Sequence, residues 1–142
     1  PEDILILGFG TGSLARLINR KWPQAKITAL EIDPVIIKIG KEYFETDKIK
    51  NLKIINANAI KYKLVSKYSI IIVDCYLGDQ IPADFEDIKF LNKLKSHTDY
   101  LFLNRLYWEP YKTKTNIFLE KLKKHFQVAT CSTPSNLIIS LS

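Results

Sequence analysis

Three glycines at alternate positions, Gly8, Gly10 and Gly12, follow the apolar run ILIL (4–7) and precede a helical pattern. Glycine accepts a positive φ and lets a ligand come close to the backbone. Dinucleotides are bound by G-x-G-x-x-G, in which the pyrophosphate caps the helix, whereas this chain has G-x-G-x-G followed by Ser13. The spacing therefore favours a nucleoside with an uncharged or cationic appendage. A tight turn that binds no ligand is the alternative.

A carboxylate, Glu31, lies near the end of the second apolar stretch, KITALEI (26–32). Doubly wound folds use an acid at this position to accept hydrogen bonds from both hydroxyls of a ribose. A plain surface acid is the alternative. Asp33 lies two residues further on, directly before Pro34, and is suited to cap the next helix.

Asp74 ends the most apolar stretch of the chain, SIIIVD (69–74). An alkylamine with a pKa of about 10.4 is mostly protonated at neutral pH, and a carboxylate here can orient the ammonium and remove its proton. Capping of the following loop is the alternative. Tyr76 either forms a wall of the substrate pocket or packs over the sheet. Cys75 is interpreted as a small buried side chain, because neither histidine is predicted nearby.

Short apolar runs alternate with helical patterns along the whole chain. Repeated βα units predict a parallel sheet with helices on both faces, and SIIIVD is expected at its centre. The last two strands, FQVATC (126–131) and NLIISLS (136–142), are joined too closely for a parallel crossover and should be antiparallel. The expected strands are 4–7, 26–32, 51–56, 69–74, 99–106, 126–131 and 136–142. We predict one Rossmann-like α/β domain over residues 1–142.

Apolar spacing also predicts which helix faces are buried. After the glycines we expect one inward face, and after Pro34 another. A third helix is expected to start near Asp84, and a fourth precedes the terminal strands. The side chains expected to face inward are Leu14, Leu17, Ile18 and Trp22; Val35, Ile39 and Tyr43; Phe85, Ile88, Leu91 and Leu94; and Phe118, Leu122 and Phe126.

Composition narrows the class of protein. The net charge is +6, and eight lysines lie between Lys38 and Lys67, but acids are interspersed and no nucleic-acid motif accompanies them. We therefore expect a solvated surface and no nucleic-acid partner. No apolar run has the roughly 20 residues of a membrane helix, so we expect no membrane partner and a cytoplasmic location. The two cysteines lack metal-ligand spacing, so no metal is expected. Because the chain contains no Met, we expect a further segment before Pro1.

Three stretches together carry a family resemblance. The G-x-G-x-G turn with Glu31 and the antiparallel terminal pair resemble the class I fold of S-adenosylmethionine-dependent methyltransferases. ALEIDPVIIKIGKEYF (29–44) resembles the spermidine synthase group, in which the second strand ends Glu-Ile-Asp before a helix. IIIVDCYLGDQIPADF (70–85) resembles the loop after the fourth strand in the same group. The chain is thus identified as similar to spermidine-synthase-like aminopropyltransferases, with a seven-stranded, mostly parallel sheet implied.

The resemblance implies a co-substrate, S-adenosylmethionine or its decarboxylated form, and an acceptor that is a small-molecule amine. The glycines would line the amino-acid or aminopropyl end, Glu31 would hold the ribose, and Ile32 would pack on the adenine. Asn58 stands where an Asp usually contacts the adenine amino group, and Asp74 would handle the incoming amine. The implied donor-binding residues are Gly8, Gly10, Thr11, Gly12, Glu31, Ile32, Asn58 and Ala59, and the substrate-binding ones are Tyr76 and Asp79.

The sequence also departs from that group. Thr11 replaces the Asp that touches the aminopropyl amine, and Leu77 replaces the second acid after strand four, unless Asp79 takes its place. The group's N-terminal β-hairpin domain is absent from this sequence. Methyl transfer is therefore the alternative reaction, and a non-catalytic adenosyl-binding or scaffold domain is the alternative outside the enzymes. Trp108, after the fifth strand, fits either an acceptor pocket or the contact of a homodimer.

Overall fold

The computed structural model describes all 142 residues and contains one seven-stranded sheet. The strand order is β3-β2-β1-β4-β5-β7-β6, so β4 is central, as its apolar sequence predicts. The strands are β1 (Asp3–Leu7), β2 (Lys26–Glu31), β3 (Leu52–Asn56), β4 (Tyr68–Val73), β5 (Thr98–Leu106), β6 (Val128–Ser132) and β7 (Asn136–Leu141).

The first five strands are parallel, and the last two run antiparallel to β5 and to each other. The chain turns from β1 outward to β2 and β3 and then returns to the other side of β1, where β4 pairs with it. This reversal of direction is the switch point at which open α/β sheets bind ligands. The predicted fold, with its antiparallel terminal pair, is confirmed.

Four α-helices flank the sheet: α1 (Ser13–Lys21), α2 (Pro34–Phe44), α3 (Ile88–Lys95) and α4 (Tyr111–Lys123). Alternate strand residues face opposite sides, so Leu5 and Leu7 lie in a core with α3 and α4, while Ile4 and Ile6 lie in a second core with α1. None of the helices is long and apolar enough to cross a bilayer.

The predicted inward faces of the first two helices are partly wrong. In α1 the buried residues are Ala15 and Ile18, whereas Leu17 is 60% exposed. In α2 the buried residue is Gly40, which contacts the Phe9 ring. Small residues make these contacts because they let a helix approach the sheet closely, and an apolar-periodicity search does not count Gly. The other expected inward residues that are exposed are Trp22, Val35 and Tyr43.

The start of the third helix and the extent of the fourth also differ from expectation. Residues Ala83–Glu86 form a separate 3₁₀ turn, and α3 begins only at Ile88, where the Asp87 carboxylate accepts a hydrogen bond from the Lys89 amide at 2.8 Å. A side-chain cap of this kind fixes a helix start more firmly than apolar spacing does. The fourth helix ends at Lys123, so Phe126 packs against the core from beyond it.

Candidate active site

A cavity of about 520 Å³ opens at the carboxyl ends of β1, β2 and β4, beside the switch point. Its wall combines apolar groups with a few polar ones, as small-molecule sites do. Most residues that the sequence marked out are among those lining it: Gly8, Phe9, Gly10, Leu30, Glu31, Ile32, Ala57, Asn58, Ala59, Ile60, Asp74, Cys75, Tyr76, Leu77, Pro82, Asp84 and Phe85.

The three glycines of the turn have different reasons to be glycine. A Cβ on Gly8 would lie 2.2 Å from the Asp74 carbonyl oxygen, so β1 and β4 can converge only because that atom is missing. A Cβ on Gly12 would lie 2.8 Å from the Phe9 ring. Gly10 has no atom within 4 Å of such a Cβ. Only Gly10 therefore leaves open space beside the cavity for a ligand.

Glu31 connects the glycine turn to the start of α2. One carboxylate oxygen accepts a hydrogen bond from the Gly10 amide at 3.0 Å, and the other accepts one from the Asp33 amide at 3.0 Å. Each oxygen keeps a lone pair, so the carboxylate can still accept from a pair of vicinal hydroxyls. Asp33 itself caps α2 through the Val35 amide at 2.8 Å, as expected.

The cavity wall beyond Glu31 offers a flat apolar surface and one amide. Ile32 is 65% exposed and lines the cavity, which suits it to pack against an aromatic ring. The Asn58 side-chain oxygen accepts hydrogen bonds from the amides of Ile60 at 2.9 Å and Lys61 at 3.3 Å. The group that Asn58 has free is thus its N–H₂ donor, which matches a ring nitrogen of adenine better than the exocyclic amino group.

Asp74 lies directly after the central strand, and its backbone continues the ladder by donating to the Leu7 carbonyl at 2.8 Å. Burial raises the pKa of its carboxyl group, and a hydrogen bond from Asn104 partly opposes that increase. Asn104 donates from its amide nitrogen to the Asp74 carboxylate at 2.8 Å. A carboxyl group with a raised pKa is a stronger proton acceptor than an ordinary aspartate once it is ionised.

A chain of hydrogen bonds fixes the orientation of Asn104. Asn136, on β7, donates to the Asn104 side-chain oxygen at 2.8 Å, which leaves the Asn104 nitrogen facing Asp74. Ser135 in turn donates to the Asn136 side-chain oxygen at 3.0 Å. Sequence reasoning missed Asn104, although a polar residue within the apolar strand DYLFLNRL was a usable signal.

The two residues after Asp74 have no nucleophilic role in this arrangement. Burial raises the pKa of the Cys75 thiol well above its ordinary value, so the reactive thiolate is disfavoured. Burial also raises the pKa of Tyr76 to about 12, and its hydroxyl donates to the Asn104 carbonyl at 3.0 Å. Tyr76 is thereby held as a neutral wall of the cavity.

Thr11, Gly12 and Asp79 are not among the residues that line this cavity. Asp79 lies at the tip of a tight turn closed by reciprocal hydrogen bonds between Leu77 and Gln80, at 2.8 and 3.1 Å. It accepts a hydrogen bond from the Tyr111 hydroxyl and lines a neighbouring cavity. The acid that does line the first cavity, in addition to Glu31 and Asp74, is Asp84, which the sequence marked only as a helix start.

No group of three or more His, Cys, Asp or Glu side chains is placed to hold a metal ion. The cavity itself offers three kinds of group to a ligand. The Glu31 carboxylate, fixed by backbone amides, is suited to hydroxyls, the exposed Ile32 side chain is suited to an aromatic ring, and the half-buried Asp74 carboxylate is held by the Asn104 side chain. This set fits an adenosyl compound.

Comparison with known proteins shows the family to which the chain belongs. The family of methyltransferase domains matches residues 4–99. A polyamine aminopropyltransferase of Vibrio vulnificus is 31% identical over 100 residues, which are 67% of this chain and 33% of that enzyme. The chain thus spans about a third of the length of this curated relative.

Solved structures share the whole fold. Human methyltransferase-like protein 13, in complex with SAH, superimposes with a TM-score of 0.80 at 24% identity, covering 100% of this chain and 72% of that one. A probable spermidine synthase from Corynebacterium glutamicum gives 0.83 at 20% identity, covering 99% and 56%. The chain belongs to the methyltransferase domain family and has the class I fold in its spermidine-synthase-like form.

Proposed function

We propose that this chain transfers an alkyl group, aminopropyl or methyl, from decarboxylated S-adenosylmethionine or S-adenosylmethionine to the nitrogen of a small-molecule amine. The observation that carries the proposal is the placement of Asp74. The half-buried Asp74 carboxylate lines the cavity at the switch point, accepts a hydrogen bond from Asn104, and has a pKa raised by its partial burial. A carboxylate whose pKa is raised in a cavity of this kind is typical of functional sites, which favours a catalytic role over a scaffold.

The donor would occupy the cavity with its adenosine along the edge formed by β2 and the loop after β3. Glu31 would accept the ribose hydroxyls, Ile32 would pack on the adenine, and Asn58 would donate to a ring nitrogen. Gly10 leaves room beside the ribose. The likeness to a polyamine aminopropyltransferase and to a methyltransferase domain seen with SAH supports such a donor. When bound, the donor supplies an electrophilic carbon attached to a sulfonium.

The residues of the chain would align the amine and take up its proton. Transfer forms a nitrogen–carbon bond and breaks the carbon–sulfur bond, and the thioether leaves as a neutral molecule. An amine attacks only after losing its proton, so Asp74 first pairs with the ammonium and then accepts the proton. Alignment of the amine with the electrophilic carbon would supply the rest of the rate. Asn104 would hold the Asp74 carboxylate in position, and the hydrogen bond of Tyr76 to the Asn104 carbonyl would hold the cavity wall.

Methyl transfer is the second candidate, and the position of Asp79 favours it. The ammonium of an aminopropyl donor has no carboxylate beside it, unlike that of S-adenosylmethionine, so an acid of the protein near the glycine turn would have to balance its charge. Thr11 offers none, and Asp79 points instead to Tyr111 in the neighbouring cavity. Asp84 is the acid that could serve an aminopropyl donor, since it lines the first cavity.

The proposal predicts that Asp74→Asn separates donor binding from transfer. We expect the variant to bind the donor as the unaltered protein does, and to lose about 10²- to 10⁴-fold in rate because it lacks the proton acceptor. Calorimetric titration with each donor measures binding, and release of the thioether during incubation with a panel of amines measures transfer. Asp87→Asn, at the cap of α3 and outside the cavity, is the matched control.

The two donors distinguish the candidates. Tighter binding of the decarboxylated donor supports aminopropyl transfer, and tighter binding of S-adenosylmethionine supports methyl transfer. If a folded sample binds neither donor, the proposed function is wrong. If it binds a donor but Asp74→Asn transfers as fast as the unaltered protein, the proposed role of Asp74 is wrong, although transfer itself is supported; binding of a donor without transfer to any amine would favour a non-catalytic adenosyl-binding domain.

A further inference from the structure

A second cavity, of about 350 Å³, lies on the other side of Tyr76 from the first. It is bounded by the end of β5, by one face of α4 and by the loop that contains Asp79. Tyr76 lines both cavities, so a ligand in the second would be a neighbour of the transfer site. The charged residues of its wall are Asp79, Glu86, Arg105, Lys114 and Lys121.

Arg105 is the buried cation of this cavity. Its side chain is 7% exposed, and one terminal nitrogen pairs with a Glu86 carboxylate oxygen at 2.6 Å. The guanidinium also lies over the Phe118 ring, 4.4 Å from its centre. Its Nε has no hydrogen-bond partner in the protein. That Nε has almost no accessible surface, so what Arg105 offers to the cavity it lines is the positive charge of its guanidinium.

Two lysines of α4, Lys114 and Lys121, add cations seven residues apart on one face of the helix. The Lys114 ammonium donates to the Gln80 side-chain oxygen at 3.2 Å, and that of Lys121 donates to the Glu86 carbonyl at 2.7 Å. Both acceptors are uncharged. Since an ammonium has three donors, each lysine keeps its full charge and further N–H groups for a ligand.

The two acids of the wall are already engaged within the protein. The Glu86 carboxylate accepts a hydrogen bond from Arg105. The Asp79 carboxylate accepts one from the Tyr111 hydroxyl and another, at 3.1 Å, from the side-chain nitrogen of Gln80. The cavity therefore presents more unused donors than acceptors. Its three cations against two acids would repel the second ammonium of a diamine.

We propose that this second cavity binds the anionic group, carboxylate or phosphate, of the amine acceptor. The amine end of that acceptor would pass Tyr76 and reach Asp74, while the anion would be held by Lys114, Lys121 and Arg105. The inference rests on the proposed function and names its substrate class: amines that carry an anion a few bonds away, rather than diamines.

Three probes of matched length test this. 4-Aminobutanoate, 3-aminopropyl phosphate and 1,4-diaminobutane share an amine and differ at the other end. Each is titrated calorimetrically into the protein with and without S-adenosylhomocysteine, so the cavity is tested whatever the donor result. We expect both anions to bind about tenfold or more tightly than the diamine, and the tighter of the two identifies the anionic group.

Lys121→Gln should weaken binding of the anionic probes by about tenfold and leave the diamine unaffected, because it removes one charge-assisted contact. Lys112→Gln, on α4 but outside the cavity wall, should change neither. If the diamine binds as tightly as the anions, or if Lys121→Gln has no effect, the inference is wrong. Failure of S-adenosylhomocysteine to bind would instead contradict the proposed function, and the anion titrations alone would still decide this inference.

Discussion

Asn104 is the residue that connects the Asp74 carboxylate to the neighbouring strands of the sheet. It donates to Asp74 and accepts from Asn136, so its amide cannot rotate without breaking one bond or the other. A hydrogen bond to the ionised form lowers the pKa of a carboxyl group, whereas burial raises it, and here burial is the larger effect. Asn104 therefore restrains the pKa of Asp74 without returning it to the ordinary range.

Replacement of Asn104 by Ala should raise the pKa of Asp74 further, because burial then acts without the opposing hydrogen bond. Asn136→Ala should raise it less, since Asn104 stays but loses its fixed orientation. Titration of the Asp74 carboxyl carbon by NMR measures both variants without any need for an acceptor. In the pH profile of any transfer activity, the fall in rate on the acidic side should shift to correspondingly higher pH. An unchanged or lowered pKa in Asn104→Ala would contradict this role.

Residue types at strand ends were enough to predict the main polar groups of the first cavity. Glu31 and Asp74 follow apolar strands directly, and parallel strands bring their carboxyl ends together. Asn136 was not predictable in this way, because its contact with Asn104 depends on the register of the antiparallel β5–β7 pair, in which Asn104 is opposite Ile138. The sequence also did not predict that the Asp79 side chain pairs with Tyr111, because the turn closed between Leu77 and Gln80 sets its orientation.

At the scale of elements, the glycine turn packs α1 against the sheet as well as lining the first cavity. Gly12 precedes α1 with φ +85°, and the Phe9 ring lies between it and Gly40 of α2. The turn thus fixes two helices against the sheet through one aromatic ring. Gly10 takes no part in that packing, because the space around it is open.

The different surroundings of Gly12 and Gly10 predict that alanine at Gly12 mainly lowers stability, whereas alanine at Gly10 mainly weakens donor binding. Both substitutions strain a positive φ, which should lower the free energy of unfolding by about 1 to 2 kcal/mol. Gly12→Ala should cost about 1 to 3 kcal/mol more through overlap with Phe9. Gly10→Ala has no such overlap, but its methyl group should weaken donor binding beside Glu31. Urea denaturation and donor calorimetry on both variants measure the difference. Equal stability losses would contradict the assignment.

The strands were easier to predict than the helix faces. A buried parallel strand is a continuous apolar run, whichever face each residue takes, so all seven runs were found. A helix face depends on which side chains are small enough to approach the sheet. In α2 the contact is made by Gly40, and Val35 and Tyr43 are on the exposed side. Periodicity alone weights large apolar residues and therefore selected the wrong stripe.

At the scale of the whole molecule, Asp74 and Asp79 affect stability in opposite directions. Burial raises the pKa of Asp74, so its ionised form is less favourable in the folded state than in the unfolded one. Hydrogen bonds from Tyr111 and Gln80 lower the pKa of Asp79, which is exposed. Ionisation of Asp74 thus opposes folding, and ionisation of Asp79 favours it.

The free energy of unfolding of two Asn variants, followed against pH, should separate these effects. As pH rises from the ordinary value of 3.8 through the raised pKa of Asp74, the folded state holds more protons than the unfolded one, and the unaltered protein loses stability. Asp74→Asn avoids that loss, so its stability relative to the unaltered protein should increase with pH and stay constant above the raised pKa. Asp79→Asn should show a smaller change of opposite sign, because Asp79 is screened by solvent. Urea titrations from about pH 3 to about pH 8 measure both. A relative stability of Asp74→Asn that falls with pH would mean that the carboxylate is stabilised by the fold, and the site would then lack the strong base that transfer to an amine requires.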